Sequence, residues 1–147
     1  MDLSQYKNVN RMKIDAIIIS VLYNHFYQMK MKGRKVLPWF QTVSVLSFAI
    51  VITGVLIYFI LSMMANKGHY EMNFSEISFL FAFVCLLILL FILIKRFYFD
   101  TNKHLLYLEE LNALAPAKRR TNKIWVLATI VLLPFLLLAV LYLVDKR

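Results

Sequence analysis

Charged residues are spread so unevenly along this chain that their pattern alone divides it. No Asp, Glu, Lys or Arg occurs from Thr42 to Met64, from Ile77 to Ile94, or from Ile124 to Val144, runs of 23, 18 and 21 residues. A helix crossing the hydrocarbon core of a bilayer needs about 20 apolar residues, each rising about 1.5 Å. The pattern therefore predicts an all-α integral membrane protein with three transmembrane helices, at about 42–64, 75–94 and 124–144. Residues 1–41 and 95–123 would lie on one side, and the short loop 65–74 and tail 145–147 on the other.

Two shorter segments carry helical periodicity without the length to span. In "IDAIIISVLYNHFYQM", residues Ile14, Ile18, Val21, Leu22, Phe26 and Met29 share one broad face at about 100° per residue, with Ser20, Asn24, Tyr27 and Gln28 roughly opposite. Asp15 and His25 fall near the apolar side and break the pattern. The expectation is an interfacial amphipathic helix at about 14–29, flanked by Lys13 and Lys30. A fourth, polar-studded span is the alternative. In "TNKHLLYLEELNAL" an N-cap at Thr101 or Asn102 precedes Leu105, Leu108 and Leu111 on a repeating face. This predicts a second amphipathic helix at about 102–114, ended by Pro116 ahead of Lys118, Arg119 and Arg120.

Composition agrees with a membrane chain. Hydrophobic residues make up 61% of it, against roughly 45–50% in ordinary globular proteins, and the mean hydropathy is +0.69. The net charge of +9 then sets an orientation. Residues 1–41 and 95–123 together hold 14 Lys and Arg with 5 Asp and Glu, whereas 65–76 and 145–147 hold 3 of each. Cytoplasmic segments carry the positive excess, so the N-terminus and the second loop are expected inside. Lys30, Lys32, Arg34 and Lys35 run into Pro38 and Trp39, and Lys118, Arg119 and Arg120 precede Trp125. Both sets suit a headgroup layer of anionic lipid with an aromatic belt residue beside it. Nothing resembling an RNA-binding or zinc-finger signature accompanies the basic runs, so nucleic acid is not an expected partner. The opening "MDLSQYKNVNRM" is polar, and no secretory signal is expected. A bacterial cytoplasmic membrane is the first expectation for location, the mitochondrial inner membrane the second.

Candidate chemistry is sparse. None of the three spans contains an ionisable residue, the usual mark of ion paths and proton relays, and Glu76 sits only at the edge of the second. His25, His69 and His104 are scattered, and His69 with Glu71 offers at most a weak external metal site. Glu109 and Glu110 are adjacent and diverge by about 100° on a helix. The lone Cys85 precludes an intrachain disulfide. No catalytic, cofactor-binding or metal residues are expected. One intramembrane pattern does emerge: Ser44, Ser47, Val51, Gly54, Tyr58 and Ser62 form a small and polar stripe along the first span, of the kind membrane helices use for close approach. Pro134 stands near the middle of the third span and should kink it. The sequence thus points to a non-catalytic accessory subunit or scaffold, with other membrane subunits or further copies of itself as partners besides the lipid. A homo-oligomeric channel or membrane-perturbing effector lined by the first span is the alternative.

Overall fold

A computed structural model describes residues 13–65 and 76–145. The loop with His69 and Glu71 lies outside the described residues. Helices α1 (Ile14–Met31), α2 (Pro38–Ala65), α3 (Glu76–Ile94), α4 (Lys103–Ala113) and α5 (Pro116–Asp145) follow in order, and a π-helical turn, Lys95–Phe99, continues α3. Among the described residues there is no strand. Three segments, Pro38–Ala65, Ser78–Phe99 and Pro116–Val144, are helical, long enough and apolar enough to cross a membrane. Two of them start well before their charge-free runs. Proline at the first helical position has no N–H to leave unbonded, so Pro38 opens α2 and Pro116 opens α5. As a result Lys118, Arg119, Arg120 and Lys123 belong to the third long helix, not to the loop expected before it. Pro134 is inside α5, and the helix continues on both sides of it.

The chain divides into two compact units. The first comprises residues up to Val43 together with Lys95–Leu127, and so contains α1, the first turns of α2, the π turn, α4 and the start of α5. Its core is built on α1. Ala16, Ile19, Ser20, Val21 and Leu22 are all buried. Four successive buried positions, 19–22, occupy every side of a helix, so the middle of α1 is enclosed. Each fully buried Val, Leu or Ile contributes about 1.5–3 kcal/mol.

This differs from the face expected of α1. Ile14 is 78% exposed and Ser20 is 0% exposed. Burial of Ser20 is tolerated because its hydroxyl donates to the Ile17 carbonyl, at 3.1 Å. In α4, likewise, the buried positions are His104 and Leu111, while Leu105 is half exposed. Asn102 occupies the N-cap position but in the left-handed region, at φ 58°, and its side chain makes no cap bond. Thr101 instead donates to the Phe97 carbonyl, at 2.6 Å.

The second unit comprises Ser44–Ile94 and Ala128–Arg147. Within it Leu56 and Met63 are buried along α2, and Phe59 meets Phe79 of α3 at 5.8 Å between ring centroids. Most of its surface is apolar and outward-facing: only 6% of the most apolar window is buried in each of the second and third long segments.

The end of α1 has a backbone requirement. Gly33 lies at φ 81°. Its N–H bonds to the Lys30 carbonyl (3.0 Å), and the Arg34 N–H reaches the Met29 carbonyl (3.2 Å). That pair of bonds is a Schellman cap, which needs a left-handed residue at Gly33's position. A Cβ there would meet no atom within 4 Å, so the cost of adding one lies in the backbone alone. Gly33→Ala should destabilise the first unit by about 1 kcal/mol, and Gly33→Asn by less. Thermal unfolding in detergent by circular dichroism measures both. Equal melting of all three proteins would show that the cap does not contribute.

Candidate functional site: a basic helical module

The chemically varied residues of the chain gather in the first unit, around two opposite faces of α1. On one face, Tyr23 contacts His104 edge-on (4.9 Å between centroids) and Phe99 at a tilt (5.9 Å). His104 in turn stacks on Phe99 at 4.4 Å and 28°. Phe99 is delivered by the π turn, which closes through an Asp100 N–H to Lys95 carbonyl bond of 3.0 Å. Successive side chains diverge less in a π turn than in an α-helix, so Tyr98 and Phe99 can both address α1. Tyr98 donates its hydroxyl to Asp15, at 3.1 Å, which fastens the first turn of α1 to the π turn. The Asp15 side chain, out of place on an apolar face, thus has a partner 83 positions away. Around this core Lys95 pairs with Asp100 at 3.6 Å and lies over the Trp39 ring at 5.9 Å. Lys103 lies over Phe97 at 3.7 Å.

His104 is 8% exposed, and its Nδ1 faces the Tyr98 carbonyl at 3.2 Å. A carbonyl only accepts, so Nδ1 carries the proton in the neutral ring. Burial lowers the His104 pKa from its ordinary value and outweighs that hydrogen bond, which acts the other way. His25 is also lowered, first by burial and then by the charge of Lys123.

The opposite face of α1 borders a groove of about 290 Å³. Val21, Asn24, His25 and Gln28 line it from α1, Leu111 from α4, and Pro116, Arg119, Arg120 and Lys123 from α5. These four α1 positions fall on one side of the helix at about 100° per residue. The lining holds three cations and no carboxylate. Sequence periodicity had placed Asn24 and Gln28 on the polar side of α1 but gave no sign that they face Arg119, Arg120 and Lys123. His25, set on the apolar side, was the one anomaly that pointed there.

The other expected residues are dispersed. Lys30, Lys32, Arg34 and Lys35 are exposed at and beyond the end of α1. Trp39 is half-buried beneath Lys95, and Trp125 is 69% exposed. The α2 stripe is not one surface. Ser47 and Val51 are buried, Ser44 and Ser62 half-buried, while Gly54 and Tyr58 are exposed. Past Val51 the buried side of α2 moves round to Leu56 and Met63, roughly opposite the stripe. The Ser47 hydroxyl is buried with no hydrogen-bond partner among the described residues. The same residues contain no group of three or more His, Cys, Asp and Glu placed to hold a metal.

The lowered His104 and His25 values fix the sign of a pH effect. Each ring is neutral in the folded unit at a pH where the unfolded chain already binds a proton. The stability they contribute is full above about pH 6.5 and is lost as pH falls toward their lowered folded values. The first unit should therefore melt at lower temperature at pH 5 than at pH 7.5, and His104→Gln should reduce that difference, leaving the share due to His25. An undiminished pH dependence in His104→Gln would rule out His104 as a source.

Compared with known proteins, the chain matches no family model, no curated protein and no solved structure.

Proposed function

We propose that the chain is a multi-pass protein of the bacterial cytoplasmic membrane, basic unit inside, acting as a non-catalytic accessory subunit or scaffold of a larger membrane assembly. The mitochondrial inner membrane is the alternative location, on the same charge asymmetry. The observation that supports this most is the first unit itself. An anchor needs only apolar helices with basic flanks, yet this chain devotes α1, the π turn and α4 to a unit with its own buried core, a long-range hydrogen bond and a cationic groove. Such a unit can present a fixed surface to a partner. The long apolar segments support the same reading, since most of their residues are not buried and are available to lipid or to other chains.

Native mass spectrometry after gentle extraction from the source membrane tests this. The expected result is a set of other polypeptides in fixed ratio to this chain. Recovery of the chain alone, in all mild detergents tried, would count against it.

The exposed outer half of the stripe favours a second reading, a homo-oligomeric channel or membrane-perturbing effector lined by α2. Gly54 tests this cleanly, because a Cβ there meets nothing within 4 Å. Gly54→Leu should leave the isolated chain undisturbed and abolish ion leakage from reconstituted vesicles if copies meet at this face. Ser47→Leu is less informative, because overpacking its buried site would cost about 1–3 kcal/mol. Unchanged leakage in Gly54→Leu, or none in the unmodified protein, would dispose of this reading.

A further inference from the structure

Helix α5 opens against the usual electrostatic rule. The N-terminus of a helix carries partial positive charge and favours acidic residues over cations in its first turn. In α5 the first turn contains no acidic residue, Lys118 and Arg119 stand there, and Arg120 and Lys123 follow in the second turn. Three of these four side chains, Arg119, Arg120 and Lys123, also line the groove beside α1. None of the three makes an ion pair with a described carboxylate. The start of the helix, three cations and the polar residues Asn24 and Gln28 thus line one concavity, and no carboxylate is among its lining residues. A local rule broken at a cavity is what a ligand site looks like when the ligand supplies the missing charge.

We propose that this groove binds a phosphate group, and that the headgroup of an acidic phospholipid is its source. Arg presents a planar fork of donors that matches phosphate oxygens, and Lys adds a compact charge. At about 290 Å³ the groove falls near the lower limit of small-ligand pockets, roughly 300 Å³, a size suited to a headgroup. The lining also includes Val21, Leu111 and Pro116, apolar contacts that a glycerol backbone can use and a bare ion cannot. Lys123 immediately precedes Ile124, the first residue of the charge-free run, and Arg119 lies about 6 Å before Lys123 along the same helix. That spacing is right for the headgroup layer if the apolar run spans the bilayer. Phosphate binding by the groove stands independently of the scaffold reading. Only the assignment to lipid rests on the membrane placement within it.

The test is native mass spectrometry of the full chain from micelles carrying equal amounts of phosphatidylglycerol and phosphatidylcholine. One phosphatidylglycerol should remain per chain. Arg120 and Lys123 are both exposed, so Arg120→Gln/Lys123→Gln should fold normally, checked by near-ultraviolet circular dichroism, and bind that lipid on the order of tenfold or more weaker. Lys30→Gln/Lys32→Gln removes the same charge outside the groove and should change affinity by less than about threefold.

A second arm adds inorganic phosphate. Displacement of the lipid, with the same dependence on Arg120 and Lys123, supports the phosphate site and assigns it a soluble source. Retention of the lipid supports the lipid source. Equal weakening by both pairs of substitutions, equal retention of phosphatidylcholine, or binding of neither lipid nor phosphate would overturn the proposal. The same spectra report co-purifying polypeptides. A specifically bound lipid without protein partners would therefore sink the scaffold reading and leave this one standing.

Discussion

Tyr23, Phe99 and His104 come from three separate parts of the chain, and their contact decides what the basic residues can do. Tyr23 belongs to α1, Phe99 ends the π turn and His104 opens α4. The Tyr98–Asp15 hydrogen bond lies beside them and fixes the direction of α1 as well as its position. Once one face of α1 is held in this way, the other is committed to the groove, and His25, Asn24 and Gln28 are set against the start of α5. The two backbone devices of the unit serve the same end. Gly33 in the left-handed region turns the chain out of α1, and Asn102, also left-handed, turns it from the π turn into α4. Asn takes that conformation at lower cost than most residues.

The long apolar helices were legible in the sequence because their signal is additive. About twenty uncharged residues in a row need no tertiary information to be understood, and the observed helices contain all three charge-free runs. Their starting points were less legible. Charge marks where the apolar runs begin, at 42 and 124, whereas Pro38 and Pro116 set the helix starts by their local backbone chemistry. That difference turned a supposed basic loop into the first two turns of α5.

The two short helices lie in nearly the expected places, and their expected faces are buried only in part: Val21, Leu22 and Leu111 are buried, but so are Ser20 and His104, while Ile14 and Leu105 are exposed. Amphipathic reasoning supposes one environment on each side of a helix. The middle of α1 has protein all round it, so Ser20 could be buried with a local hydrogen bond while Ile14, at the helix end, was left exposed. Asp15 and His25, the residues that break the pattern, mark two of its contacts, Asp15 with Tyr98 and His25 at the groove. The α2 stripe is buried over only part of its length for a related reason. A helix of 28 residues need not bury the same side throughout, and the Phe59–Phe79 contact accompanies a change of side beyond Val51.

What emerges is a division of labour along the chain: a largely outward-facing apolar unit, and a compact basic unit whose aromatic core holds a cationic concavity open. The most direct test of that core is hydrogen exchange of the full chain in lipid nanodiscs, comparing the unmodified protein with Phe99→Ala. If α1 is held by the aromatic contact, amides of residues 19–23 and of α4 should be protected in the unmodified protein, and both sets should exchange faster together once Phe99 is truncated. Protection of residues 19–23 that survives Phe99→Ala unchanged would mean that α1 is shielded by the bilayer, as a fourth span would be, and would contradict the account.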